Sequence, residues 1–260
     1  LPGSDLALLV DVARSAGEIA CRHWQEDHAV WDKGAGQGPV TEADLEVDCM
    51  LEDRLLKARP SYGWMSEESA DNTARLKCER VFVVDPIDGT RAFTEGQKTW
   101  AHSLAVVEDG VAVTAVVYLP LLDKLYTAER DVGAWLNGEP IRASDRTDVR
   151  GAEVLMARAA MEPHHWPGGV PDLKRRFRSS LAYRLALVGE GRFDGMLTLR
   201  ESWEWDIAAG GLIAAEAGAL VTDRIGRPLA FNSLTRMSVG VVCAAPGVHT
   251  ALMAGLTGRG

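Results

Sequence analysis

The chain has 260 residues, of which 47% are hydrophobic and 25% charged, with a formal net charge of −9. That is the composition of a folded globular chain with room for one large core or two small ones, and not of a disordered one. The acidic balance argues against a nucleic-acid polymer as partner, because such binding needs a basic surface; an anionic substrate would need a local cation against the overall field. No run of about 18 apolar residues suggests a membrane span, and Asp5 and Asp11 interrupt the N-terminal apolar run, so no signal peptide is expected. Cys21, Cys49, Cys78 and Cys243 form no C-x-x-C pair. Reduced, buried thiols in a cytoplasmic protein are expected, with neither a zinc site nor a disulfide framework.

Leu6, Leu9, Val10, Ala13, Ala16 and Ala20 form a helical stripe. Lys33 to Pro39, KGAGQGP, is a glycine-rich loop without the order of a nucleotide P-loop, and is expected to be mobile. A second helix opens near Thr41, with Ala43, Val47, Met50, Leu51 and Leu55 on one face, and ends by Pro60. Val81–Val84 is a buried strand, and Ser103–Val107 and Val111–Tyr118 make a hairpin about Asp109-Gly110. A further strand at Leu125–Ala128 precedes an Asn137-Gly138 turn. Beyond Arg150 strands are expected at Val154–Ala157, Met196–Leu199, Leu220–Thr222 and Val239–Cys243, and helices at Leu181–Glu190 and Ile207–Ala217. Strands alternating with helices there suggest an α/β half, residues 151–260, behind a mixed α+β half, residues 1–150.

The stretch VFVVDPIDGTRAF, 81–93, carries the first chemical signal. A buried strand ends in Asp85 and Asp88, with Pro86 between them and Gly89 and Thr90 just after. Asp, Pro and Gly are ordinary turn formers, so the pair alone is as readable as a turn as it is as a site. Glu67 in WMSEES, Asp206 at the first turn of a helix and Asp44 at the start of another repeat the pattern of an acid at the end of an apolar element. Each has its own plain reading, since Thr41 to Asp44 fits a capping box and Asp206 suits a helix N-terminus. If they converge they repel unless cations neutralise them. Hard oxygen donors without His or Cys select Mg²⁺, with Mn²⁺ or Ca²⁺ as substitutes. Pro86 stiffens the turn so that Asp85, the Ile87 carbonyl and Asp88 can aim at one place, and the N–H groups after Gly89 can hold a phosphate.

DPIDGTRAF, the upstream SEES, the downstream WDIAAGGLIAAEAG and GAWLNGEPI together resemble the inositol monophosphatase family of Mg²⁺-dependent, lithium-sensitive phosphomonoesterases. The resemblance runs over nearly the whole chain. It implies a layered αβαβα architecture, a homodimer, and two or three metal ions per site. By position it implies Glu67, Asp85, the carbonyl of Ile87, Asp88 and Asp206 as metal ligands. Glu67 and Thr90 are expected to orient the attacking water, and Asp44 to help hold a weaker extra metal. Gly89 and Thr90 are the phosphate-binding turn, and Lys33 the mobile-loop lysine. No covalent nucleophile stands out.

The substrate implied is a small phosphorylated metabolite. Family members acting on inositol phosphates carry a glutamate seven residues before the helix-opening aspartate; Leu199 stands there, and an apolar pocket wall is expected. SSLAYRLALVGEGRFDG with EWDIAAG is more similar to the bacterial 3′(2′),5′-bisphosphate nucleotidase branch. Ser180 and Arg192 in that stretch, Arg91 in DPIDGTRAF, and Arg184 are expected near substrate. Inositol 1-phosphate and histidinol phosphate are the alternative substrates, and a regulatory protein-binding member is the alternative of a different class. His164, His165 and Trp166 are expected in a loop cluster, and Trp203 and Trp205 in core packing that could also wall the pocket.

Overall fold

The computed structural model describes residues 3–24, 30–32 and 39–258. Lys33 and the glycine-rich loop lie outside the described residues. The helices are α1 (Asp5–His23), α2 (Glu42–Ala58), α3 (Thr90–Thr94), α4 (Leu181–Gly189), α5 (Glu204–Glu216) and α6 (Pro246–Thr257). The short antiparallel pair β1 (Val30–Asp32) and β2 (Pro39–Thr41) lies before α2. A seven-stranded sheet runs in chain order through β3 (Gly63–Ser66), β4 (Arg80–Asp88), β5 (Ala101–Glu108), β6 (Val111–Leu119), β7 (Lys124–Glu129), β8 (Gly133–Leu136) and β9 (Glu139–Pro140).

The later strands are β10 (Glu153–Leu155), β11 (Lys174–Arg176), β12 (Gly195–Thr198), β13 (Ser202–Trp203), β14 (Leu220–Thr222), β15 (Met237–Ser238) and β16 (Val241–Ala244). Five of them form a mixed sheet in the order β11-β10-β12-β16-β14, and β13 pairs with β15 separately.

Five layers follow from which face each element buries. Leu9, Val12, Leu51 and Leu55 of α1 and α2 pack on Phe82, Val84 and Leu104 of the first sheet. The alternate strand residues Val81, Val83 and Ala105 face the other way, onto α4 and α5, which also meet Met196 and Cys243 of the second sheet. Helix α6 covers the outer face of that second sheet through Val248 and Leu252, against Leu197, Leu199 and Val242. This is the αβαβα order. Each fully buried aliphatic side chain contributes about 1.5–3 kcal/mol, so the two sheets and their helices are held mainly by these three cores.

The turns are where the sequence placed them. Asp109 and Gly110 have φ of 48° and 83°, and Asn137 and Gly138 have φ of 52° and 87°, the left-handed pairs that tight hairpins require. Strand β4 runs on through Asp88, four residues past the expected end, and α5 begins at Glu204, three residues early. Strand β3 and helix α6 were not foreseen. Of the cysteines only Cys243 is buried, while Cys21 and Cys49 are exposed, contrary to the expectation of buried thiols.

Candidate metal and phosphate site

Strand β4 supplies the centre of the site through a bulge. Asp85 stands opposite Ser103 and Asp88 opposite Ala101, so three steps on β4 match two on β5. Residues three apart in a regular strand face opposite sides; the extra residue cancels that inversion and bends the strand locally. Pro86 occupies the bulge, where its missing N–H costs no ladder bond. Its carbonyl meets Nδ1 of the buried His102 at 2.5 Å, and burial pushes that imidazole down to about 4. A neutral ring donating from Nδ1 thus props the turn from behind, a role that its place within an apolar strand did not signal.

Asp85 lies on the α5 side of the sheet, where α5 delivers Asp206. Strand β3, parallel to β4, delivers Glu67 just past its end, with the Glu67 N–H donating to the Val84 carbonyl at 3.2 Å. Oxygens of Glu67, Asp85 and Asp206 all lie within 4.8 Å of one another. Asp85 and Asp206 are pushed well above the usual carboxylate range, first by burial and then by each other's neighbours: Glu67, Asp88, Asp206 and Asp44 around Asp85, and Asp88 and Glu67 around Asp206. Among the described residues the buried Oδ1 of Asp85 has no hydrogen-bond partner. Crowded oxygen donors and an orphaned carboxylate oxygen fit a hard divalent cation. Behind Glu67, Asp48 of α2 accepts from Ser66, and from Ser69 at 2.5 Å, fixing the loop at both ends. Asp48 was also missed; its signal is the four-residue spacing from Asp44.

Asp88 is held differently. Its Oδ2 accepts from Ser180 Oγ at 2.7 Å and from the Ala182 N–H at 2.6 Å, at the start of α4. Burial raises it to about 6 in spite of those bonds. Ser180 therefore positions Asp88 and caps α4, accepting from the Tyr183 N–H at 2.9 Å. Gly89 has φ 99° and caps α3 without a side-chain hydrogen bond; a Cβ there would be strained by the backbone and would touch Ser180. The Thr90 hydroxyl donates to the Ile87 carbonyl at 3.2 Å and has Asp44 Oδ1 at 3.5 Å. Asp44 satisfies both of its readings. Its Oδ2 closes the capping box on the Thr41 N–H at 2.8 Å and the Thr41 hydroxyl at 2.6 Å, and its other oxygen turns to Thr90.

The arginines separate. Arg91 is exposed on α3. Arg192 is exposed and its Nη1 lies 4.0 Å from Glu190. Arg184 is buried on α4, and burial pushes its guanidinium down to about 10. Leu199 is not a wall of this site. It is buried with Leu197 and Trp166 in the outer core, and the next residue, Arg200, is the one whose charge acts on Asp206 and Arg184. Beside Glu67 a pocket of about 360 Å³ is lined by Val40, Leu45, Trp203, Trp205 and Arg236. Trp203 and Trp205 stack at 4.7 Å with planes 8° apart, so they wall a pocket as well as packing together. His164 and His165 sit together in a 3₁₀ turn of the irregular stretch.

A strand-end carboxylate cluster beside a glycine turn, inside an αβαβα stack, defines a class of protein, and comparison bears on which. The inositol monophosphatase family model matches residues 4–259, and the chain belongs to that family. It is 36% identical over 242 residues to the inositol-1-monophosphatase of Rhizobium meliloti, covering 88% of this chain and 90% of that one. It is 34% identical over 223 residues to the fructose-1,6-bisphosphatase/inositol-1-monophosphatase of Thermotoga maritima, covering 84% of each. The crystal structure of the extragenic suppressor protein suhB from Bartonella henselae superposes with a TM-score of 0.82 at 29% identity, over 97% of this chain and 98% of that one. These relatives carry inositol-phosphatase and suppressor names; the bisphosphate nucleotidase branch expected from the α4 stretch is not among them.

Proposed function

We propose that the chain is a divalent-metal-dependent phosphomonoesterase whose substrate is a 3′(2′),5′-bisphosphorylated nucleoside. The observation that carries the metal-dependent reading is the trio of buried Asp85 with half-buried Glu67 and Asp206, their oxygens within 4.8 Å of one another. These three would hold the metal, with Asp88 and the Ile87 carbonyl beside them. A divalent ion there supplies a Lewis acid and brings the pKa of water toward neutrality. The residues themselves position and neutralise. The N–H groups after Gly89 offer themselves to phosphate oxygens, and Thr90, fixed between Ile87 and Asp44, presents its hydroxyl oxygen to an incoming water. Asp88, anchored by Ser180 and α4, keeps its second oxygen for the site.

The nucleotide reading is supported by a cation, Arg200, next to the position where inositol-type members carry a hydroxyl-binding glutamate. The inositol 1-phosphate reading is favoured by the 36% and 34% identical relatives. A purely regulatory, protein-binding role has no use for five acids kept at mutual repulsion. The test is substrate profiling of the purified chain in Mg²⁺. We expect a higher kcat/KM for adenosine 3′,5′-bisphosphate than for inositol 1-phosphate or histidinol phosphate, abolished by chelation and inhibited by millimolar lithium. Preference for inositol 1-phosphate would replace the nucleotide with the polyol; turnover that survives chelation would end the metal reading.

A further inference from the structure

Arg184 lies on α4, four residues past the Ser180 that holds Asp88. It is only 8% exposed, and among the described residues no carboxylate lies within ion-pairing distance of it. Its Nε donates to the Arg178 carbonyl at 2.5 Å and its Nη2 to the Ser179 carbonyl at 3.3 Å. Both partners are neutral, so the guanidinium is oriented but not neutralised. A buried charge in that state is costly unless an anion joins it. Asp88 and Asp206 are near enough to act on it, but those carboxylates belong to the metal site, and cations bound there would cancel the field they offer to Arg184.

Arg200 adds a second positive charge at the same place. Arg200 lies two residues past Thr198, the end of β12, and is exposed, while Leu197 and Leu199 beside it go to the outer core; its charge reaches both Asp206 and Arg184. The two guanidiniums repel one another. Arg200 makes no ion pair or side-chain hydrogen bond among the described residues. The Arg184 guanidinium also lies 4.4 Å from the ring centroid of Phe177, and Phe177 is 47% exposed. An aromatic ring backed by a cation, with surface still open, is a platform on which a planar base can stack.

We propose that Arg184 and Arg200 form a subsite for a second anionic group of the substrate, with Phe177 as the stacking platform for its base. This rests on the phosphomonoesterase reading and names the residues that select a bisphosphorylated nucleoside within it. Planar, always-charged guanidiniums suit a phosphate through paired N–H donors. The scissile phosphate sits at the Gly89 turn and the acids; the second phosphate sits across α4 from it, with the base on the aromatic ring.

The test is a pair of binding measurements on the full chain, by titration calorimetry, with adenosine 5′-monophosphate and with adenosine. Each is run with Mg²⁺ and again with chelator, the second arm removing any contact between phosphate and metal. In chelator we expect the monophosphate to bind at least about tenfold more tightly than adenosine, since charge-assisted contacts are worth that factor or more. Arg200→Gln and Arg184→Gln should bring the ratio toward one, and Phe177→Ala should weaken both ligands together. Arg200 is exposed, so its variant reports even if Arg184→Gln fails to fold. Equal binding of the two ligands by the wild-type chain, no binding of the monophosphate, or an unchanged ratio in Arg200→Gln would each overturn the subsite. A clear preference in chelator from a chain that hydrolyses no phosphate ester in Mg²⁺ would keep the subsite and remove the phosphomonoesterase reading; the reverse pair of results would do the opposite.

Discussion

Two turns of this molecule begin alike. Strand β4 runs into Asp85-Pro-Ile-Asp-Gly, and strand β14 runs into Asp223-Arg-Ile-Gly-Arg. Both aspartates are buried, at 1% and 4% exposure. Burial pushes Asp223 upward, but its Oδ1 accepts from the N–H groups of Ile225 and Arg227 at 2.9 Å each, and its Oδ2 from Arg227 Nε at 2.8 Å. Those bonds win, and it settles below the usual carboxylate range. Asp85 has acids where Asp223 has donors, and is driven the other way. Burial of an aspartate at a strand end therefore says little about its role. What decides is whether the chain itself supplies the compensating charge or leaves it to be supplied.

The largest effect that would break this contrast is expected in Asp85→Asn. Removing one ligand from a metal site worth several kcal/mol should lower turnover by about a thousandfold or more. The metal-free protein should become more stable, because a repelling charge is gone. Wild-type protein at Mg²⁺ about a hundredfold above its dissociation constant should gain about 2.7 kcal/mol, a gain that thermal melts of Asp85→Asn should lack. Near-normal turnover in this variant would mean that the carboxylate trio is structural.

A smaller effect separates the two turns by pH and by substitution. For the metal-free chain, Asp85, Asp88 and Asp206 hold protons more tightly folded than unfolded, so their contribution to stability falls as pH rises from about 4, the unfolded value. For Asp88 that window closes near 6, its folded value. Asp223 is the opposite case, with stability present above about 4 and lost as pH falls below it. Urea titrations of metal-free protein at pH 5 and pH 7 should show the first trend, and Asp223→Asn should flatten only the acid side. That variant should also cost about 1–3 kcal/mol by leaving buried donors poorly matched, with turnover per folded molecule unchanged. Loss of turnover without loss of stability would put Asp223 in the site.

The smallest expected effect tests the acid that does both jobs. Thr41→Ala removes the cap of α2 and half the fixation of Asp44, and should cost about 1 kcal/mol. If Asp44 is held mainly by Thr90, activity will fall less than stability; melting and initial rates on the same preparation would tell.

How much of this was legible in the chain depended on distance along it. The Asp85–Gly89 turn and the hairpin turns at Asp109 and Asn137 were readable because their residues are locally forced by φ and by missing donors. The capping box at Thr41 was readable for the same reason. The bulge that aligns Asp85 with Asp88 was not, because it is a relation between β4 and β5. Nor was the side to which residue 199 points. One step of strand parity moves a side chain to the other face, and that step exchanged an expected apolar wall at Leu199 for a cation at Arg200. His102 and Asp48 were illegible because their work is to hold backbone and loop contributed by other segments.

The strand order of the second sheet has a consequence for the making of the protein. Strand β16, residues 241–244, lies in the interior of that sheet, between β12 and β14. During synthesis from the N-terminus the first sheet can close while this slot is still empty. A nascent chain will therefore carry Asp85 in a formed sheet, with Glu67 at its end, before Asp206 has emerged, and the facing edges of β12 and β14 will stay open until residues 241–244 have left the ribosome. Truncation before residue 241 should thus leave a sticky, half-assembled particle and not a smaller working one.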